Sequence, residues 1–210
     1  MLYVSLILYI LMVISLIVTR VYNKDKLSLF VKTVLSIILI TSVVVISSSQ
    51  RWIMISIMFS SIADIFLGIH RIEKGSSYLF YMVLFLVVCS QVCILISSIH
   101  LTRFNYYSII LAIIMNFTLY FSFAKACKMG KMQNLSMIYS FIFLLIVDNV
   151  LLNIHQLDSI YIAAIILYFV SDIVLFIQKF ISKSSKTVLD GINKLMYYTA
   201  QILFVLYILK

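Results

Sequence analysis

The chain has 210 residues, of which 64% are hydrophobic and 11% charged, with a formal net charge of +9 and a mean hydropathy of +1.18. So few charged side chains cannot cover a soluble globule, which excludes water-soluble enzymes and binding modules and defines an integral membrane protein. The 16 Lys and Arg residues are dispersed along the chain, so nucleic acid is a poor partner and membrane lipid headgroups a better one.

A hydrocarbon core of about 30 Å needs roughly 20 apolar residues per helix. Eight such runs occur, at 2–19, 27–46, 52–69, 78–99, 104–123, 135–153, 159–177 and 192–209. Lipid offers backbone groups no partners, so each run is expected to be a helix. The prediction is one all-α membrane domain over 1–210, a polytopic bundle of eight transmembrane helices.

In chain order, 2–19 has no basic residue ahead of it and no small-residue cleavage site after it, so it reads as a retained span. Run 27–46 carries Lys32 near its start. Run 52–69 leads into "ADIFLGIHR" at 63–71, which places Asp64 inside apolar sequence. Run 78–99 holds Cys89 and Cys93 one turn apart, read as small packing residues and not a disulfide. Run 135–153 carries Tyr139, Asp148 and Asn149, and run 159–177 leads into "SDIVLFIQK" at 171–179, which repeats the Asp-Ile-x-Leu-x-Ile-x-basic order of 64–71. The Lys/Ser-rich stretch 178–191 is the longest connection, and 192–209 carries "YYTAQ" at 197–201, a turn or two from its start. The absence of proline disfavours a transporter built on broken helices. His70, His100 and His155 fall at run ends without an HExxH pattern, so neither a metal nor another cofactor is expected.

The connections expected on one side carry Arg20, Lys24, Lys26, Arg71, Lys74, Lys125, Lys128, Lys131, Lys179, Lys183, Lys186 and Lys194, and those on the other only Arg51 and Arg103. This asymmetry predicts that both termini lie outside the cytoplasm, in what Ile/Lys/Ser-rich usage suggests is a bacterial cytoplasmic membrane.

Lys32, Asp64, Asp148 and Asp172 fall inside the spans, where each costs about 2.5–3.5 kcal/mol at a helix centre and is read as functional by default. A structural role, or for Lys32 snorkelling to the rim, is the competing reading. Lys32, Asp64, Asp172 and the Tyr197–Gln201 segment fall at similar depth from the basic side, whereas Asp148 falls in the outer half. Asp64 occupies the third of the first four spans and Asp172 the third of the last four, with Gln91 and Gln201 following in the fourth span of each half. This suggests a parallel four-plus-four repeat.

The segments "VKT" at 31–33, "SSIADIFLG" at 60–68, Tyr139, "LYFVSDIVLF" at 167–176 and "YYTAQILFV" at 197–205 resemble the lysoplasmalogenase-like, YhhN-type membrane family. The resemblance implies hydrolysis of the sn-1 vinyl ether of a lysophospholipid to a fatty aldehyde and glycerophospho-ethanolamine or -choline. It implies Asp64 and Asp172 as the catalytic pair and Lys32, Tyr139, Tyr198 and Gln201 as substrate-binding residues. Thr33, Ala63 and Gln91 stand where the family has proline, glycine and histidine.

Acid cleavage of a vinyl ether starts with proton transfer to the carbon distal to oxygen. A carboxyl pair in an apolar medium suits it, because desolvation and mutual repulsion keep one proton on the pair while the other group stays ionised. The division parallels the two carboxylates of glycosidases. Which aspartate is the acid does not follow from residue order, since a coupled pair titrates as a unit. A proton-coupled transporter using the same acids, or a scaffold held by their hydrogen bonds, are the alternatives.

Overall fold

The computed structural model describes residues 2–22, 25–45, 50–73, 77–126, 132–178 and 186–210. Their helices are α1 (Leu2–Val21), α2 (Asp25–Val45), α3 (Arg51–Ile72), α4 (Ser77–Thr102), α5 (Tyr107–Ala126), α6 (Met132–Leu152), α7 (Ser159–Phe176) and α8 (Lys186–Ile208), with one short 3₁₀ turn at Ile154–Gln156. Among these residues, 25–45, 51–70, 78–102 and 159–176 are long and apolar enough to cross a membrane, and 7–19, 107–121 and 137–152 are shorter apolar segments. The all-helical membrane bundle is therefore observed. Of the basic residues that carried the orientation argument, Lys24, Lys74, Lys128, Lys131, Lys179 and Lys183 lie outside the described residues.

Helix α8 departs most from expectation, starting at Lys186 and not at 192. Its first turns are polar, yet Asp190 and Lys194 form an i,i+4 ion pair that both residues bury. Opposite charges one turn apart support the helix that the hydropathy of 178–191 does not reveal.

The most extensive contacts join α3 to α4 and α7 to α8, the same positions in each half, while α2 packs closely on α3 but α6 only lightly on α7. Gly68 faces α2: a Cβ there would stand 2.6 Å from Leu29 Cδ1, so the leucine side chain would have to shift. Leu39, Ile57, Ile94, Ile146, Ile165 and Phe204 are buried. Each lies about 10 Å along its own helix from the layer of Lys32, Asp64, Val87, Tyr139, Asp172 and Tyr198. They form an apolar floor across the middle of the bundle.

Beyond the floor lies a polar cap. Asn149 Nδ2 donates to Ser98 Oγ at 3.3 Å, and Asn149 Oδ1 accepts from the Asn105 amide at 3.2 Å. Arg103, at φ 78°, takes the left-handed turn that ends α4. Asp158 caps α7 by accepting from the Ile160 amide at 2.8 Å and also accepts from the Lys210 ammonium. The hydrogen bond from Lys210, and then that from Ile160, hold its carboxyl below the usual carboxylate range.

Candidate active site

On the side of the floor where α3 and α7 end and α4 and α8 begin, a cavity of about 460 Å³ opens among six helices. Lys32 of α2, Ser60 and Asp64 of α3, Tyr139 of α6, Tyr168, Ser171 and Asp172 of α7, and Asp190, Asn193, Lys194, Tyr197 and Tyr198 of α8 supply its polar wall. Phe80, Val83, Leu84 and Val87 of α4, with Leu67, Leu175 and Phe176, supply an apolar one.

The two aspartates share this cavity but have different partners. Lys32 Nζ donates to Asp64 Oδ1 at 2.9 Å, and Tyr198 Oη donates to Asp64 Oδ2 at 3.1 Å. Lys32 is thus turned inward, only 5% exposed, with Ser28 and Ser36 buried one turn to either side on the same face of α2. Snorkelling is excluded by this geometry. Asp172, by contrast, accepts from the Tyr139 hydroxyl. Tyr139 stacks on Phe143, their ring centroids 6.3 Å apart and planes 2° from parallel, and Phe143 stacks in turn on Phe169. This ladder fixes the phenol against α7.

Gln201 does not line the cavity. Its Nε2 donates to Ser60 Oγ at 3.1 Å from behind the wall. Gln91 is fully buried and faces the Tyr139 hydroxyl. Asp148 lies buried on α6, beside Asn149 and beyond the floor, not at the cavity.

A reciprocal clamp holds α7 to α8 beside Asp172: Asn193 Nδ2 donates to the Ser171 carbonyl at 2.6 Å, and Ser171 Oγ donates to the Asn193 carbonyl at 3.3 Å. Tyr9 of α1 packs edge-on against Tyr198, centroids 6.2 Å apart. Asp190, Asn193, Lys194 and Tyr168 were not singled out as site residues from the sequence. The signal for the α8 members is positional: 190, 194, 197/198 and 201 recur at helical spacing and continue the "YYTAQ" face back into a stretch that reads as a connection.

The fold and cavity define a polytopic helical membrane protein with ionisable side chains lining a cavity within the bundle. The YhhN family model matches residues 27–208, most of the chain. The protein belongs to the YhhN family, which includes lysoplasmalogenases. No match to a curated protein or to a solved structure was found.

Proposed function

We propose that this protein hydrolyses the sn-1 vinyl ether of lysoplasmalogens, releasing a fatty aldehyde and glycerophospho-ethanolamine or -choline. The observation that carries the reading is the unequal partnering of two aspartates in one cavity, with an ammonium on Asp64 and a phenol on Asp172.

Asp64, neutralised by Lys32, is the carboxylate. Asp172, partnered by a neutral hydroxyl, holds the transferable proton. That proton passes to the vinyl carbon distal to oxygen, and the other vinyl carbon becomes an oxocarbenium centre facing the Asp64 charge. Water adds to this centre and returns a proton to Asp172. The resulting hemiacetal loses its C–O bond to the glycerol oxygen, its hydroxyl proton transfers to that oxygen, and one aldehyde leaves for each water consumed. Tyr198 steadies Asp64, and Gln201 holds Ser60 beside it. The wall from Phe80 to Val87 suits the single alkenyl chain of a lysoplasmalogen.

The transporter reading requires a polar route through the bundle, whereas buried apolar side chains, Leu39, Ile57, Ile94, Ile146, Ile165 and Phe204, predominate at the level between the cavity and Asp148. The test is turnover by purified protein in detergent on a 1-alkenyl lysophospholipid, with trapping of aldehyde. Equimolar aldehyde and glycerophosphodiester are expected, and none from the saturated 1-alkyl ether. No aldehyde from the alkenyl lipid would overturn the reading.

A further inference from the structure

Gln91 is polar at a position where packing alone favours an apolar residue. It lies on the face of α4 that brings Leu84 and Val87 to the cavity, one turn beyond Val87 and two beyond Leu84, and it is 0% exposed. Its amide nitrogen faces the Tyr139 oxygen but stops short of a full hydrogen bond, and its Oε1 has no partner among the described residues. A methionine would fill similar volume without desolvating an amide, so stability does not explain the choice.

The Tyr139 hydroxyl stands between two helices. From α7, Asp172 Oδ2 accepts its proton, and from α4, Gln91 approaches its oxygen. Among the described residues this hydroxyl is the one group that hydrogen-bonds to Asp172. Whatever directs the phenol proton therefore also directs the proposed acid.

The ring itself has little freedom, because Tyr139 stacks on Phe143 with planes 2° from parallel. What can still turn is the O–H bond about the phenol C–O axis. An amide oxygen on the α4 side would compete with Asp172 for that proton, whereas an amide N–H cannot accept and instead donates to the phenol oxygen. Gln91 presents the N–H. The terminal torsion of a glutamine is soft, so the contact closes at little cost.

We infer that Gln91 is a positioning residue: its amide N–H commits the Tyr139 proton to Asp172 Oδ2, which leaves Oδ1 to carry the proton that is transferred. An amide does not titrate, so the commitment holds in both protonation states of Asp172. The consequence for turnover rests on the hydrolase reading, but the Gln91–Tyr139–Asp172 chain is measurable without turnover.

The experiment uses the full chain in detergent with tyrosine labelled by carbon-13 at Cζ, the Tyr139 resonance being assigned by its loss in Tyr139→Phe. That resonance should move in Gln91→Met and in Asp172→Asn. With a 1-alkenyl lysophospholipid, Gln91→Met should lower kcat about 10-fold with KM within about 2-fold. In a Tyr139→Phe background the same substitution should change kcat by less than about 2-fold, because Gln91 acts through the hydroxyl. Gln91→His, which keeps a ring N–H donor, should recover at least about a third of the wild-type kcat. The Tm of Gln91→Met should be at or above wild type and reports folding; Gln91→Leu serves where that variant does not fold. An unmoved Tyr139 resonance, a wild-type kcat in Gln91→Met, or a full further loss in the double variant overturns the positioning role. A moved resonance together with no aldehyde from wild type would instead overturn only the hydrolase reading.

Discussion

Lys32 on α2 reaches Asp64 on α3 across 32 residues of sequence, and Tyr139 on α6 reaches Asp172 on α7 across 33. In each half the second helix sends one donor to the carboxylate of the third. The halves differ in that one donor is a cation and the other a neutral phenol, and this difference divides the proposed labour.

Removing Lys32 should expose the cost of the charge it covers. Lys32→Met leaves Asp64 without a counter-ion and is expected to destabilise the protein by about 3–5 kcal/mol. Lys32→Met/Asp64→Asn should recover much of that loss, because no charge is then stranded. Chemical denaturation in detergent micelles reads the cycle, and additive effects of the two substitutions would argue against a coupled pair.

Tyr139→Phe keeps the Phe143 stack and deletes only the hydroxyl on Asp172. A hydrogen bond of this kind is worth about 1.5 kcal/mol, so aldehyde release should fall by about 10-fold in kcat with little change in Tm. A wild-type kcat in this variant would mean that Asp172 is oriented by other groups.

How much of this was legible in sequence depends on which signal each residue left. Apolar run length gave eight helices, since lipid tolerates little else, and "ADIFLGIHR" and "SDIVLFIQK" located Asp64 and Asp172 on matching helices. Partnering was not legible. Lys32 also admits a snorkelling reading, and its inward turn onto Asp64 is a contact between two helices that residue order does not show. Asp190 and Lys194 lay hidden because hydropathy penalises both, although their i,i+4 pairing stabilises the helix they interrupt on such a scale. Depth along the spans already set Asp148 apart in the outer half, and the structure keeps it there, buried on α6 away from the cavity.

Asp158 offers a pH test outside the spans. Its folded carboxyl is held below the ordinary range by Lys210 and the Ile160 amide. Its contribution is therefore present above the unfolded carboxylate pKa of about 3.9 and lost as pH falls through the lower folded value. Asp158→Ala should lower Tm at neutral pH, and the gap to wild type should close in strong acid. A gap independent of pH would assign the effect to helix packing.

On the distribution of basic connections, we expect a reporter fused at Lys210 to lie outside the cytoplasm. Alkaline phosphatase should be active there and a green fluorescent reporter dark. The opposite result would turn the cavity mouth to the other leaflet.

The aspartates themselves provide the sharpest separation of catalysis from structure. Asp64→Asn and Asp172→Asn keep size and most hydrogen bonding but remove the charge from one group and the transferable proton from the other. Each should lower aldehyde release by at least about 10²-fold, equivalent to about 2.7 kcal/mol of transition-state stabilisation. The double variant should be hardly slower than the slower single one, because groups that act as a unit are not additive. Stability should diverge: Asp64→Asn strands the Lys32 ammonium and should lower Tm, whereas Asp172→Asn, which has only the Tyr139 phenol to satisfy, should leave it near wild type. A scaffold role would give falling stability in both and no turnover to lose. Wild-type turnover in either single variant would remove that aspartate from the chemistry, whatever its place in the cavity.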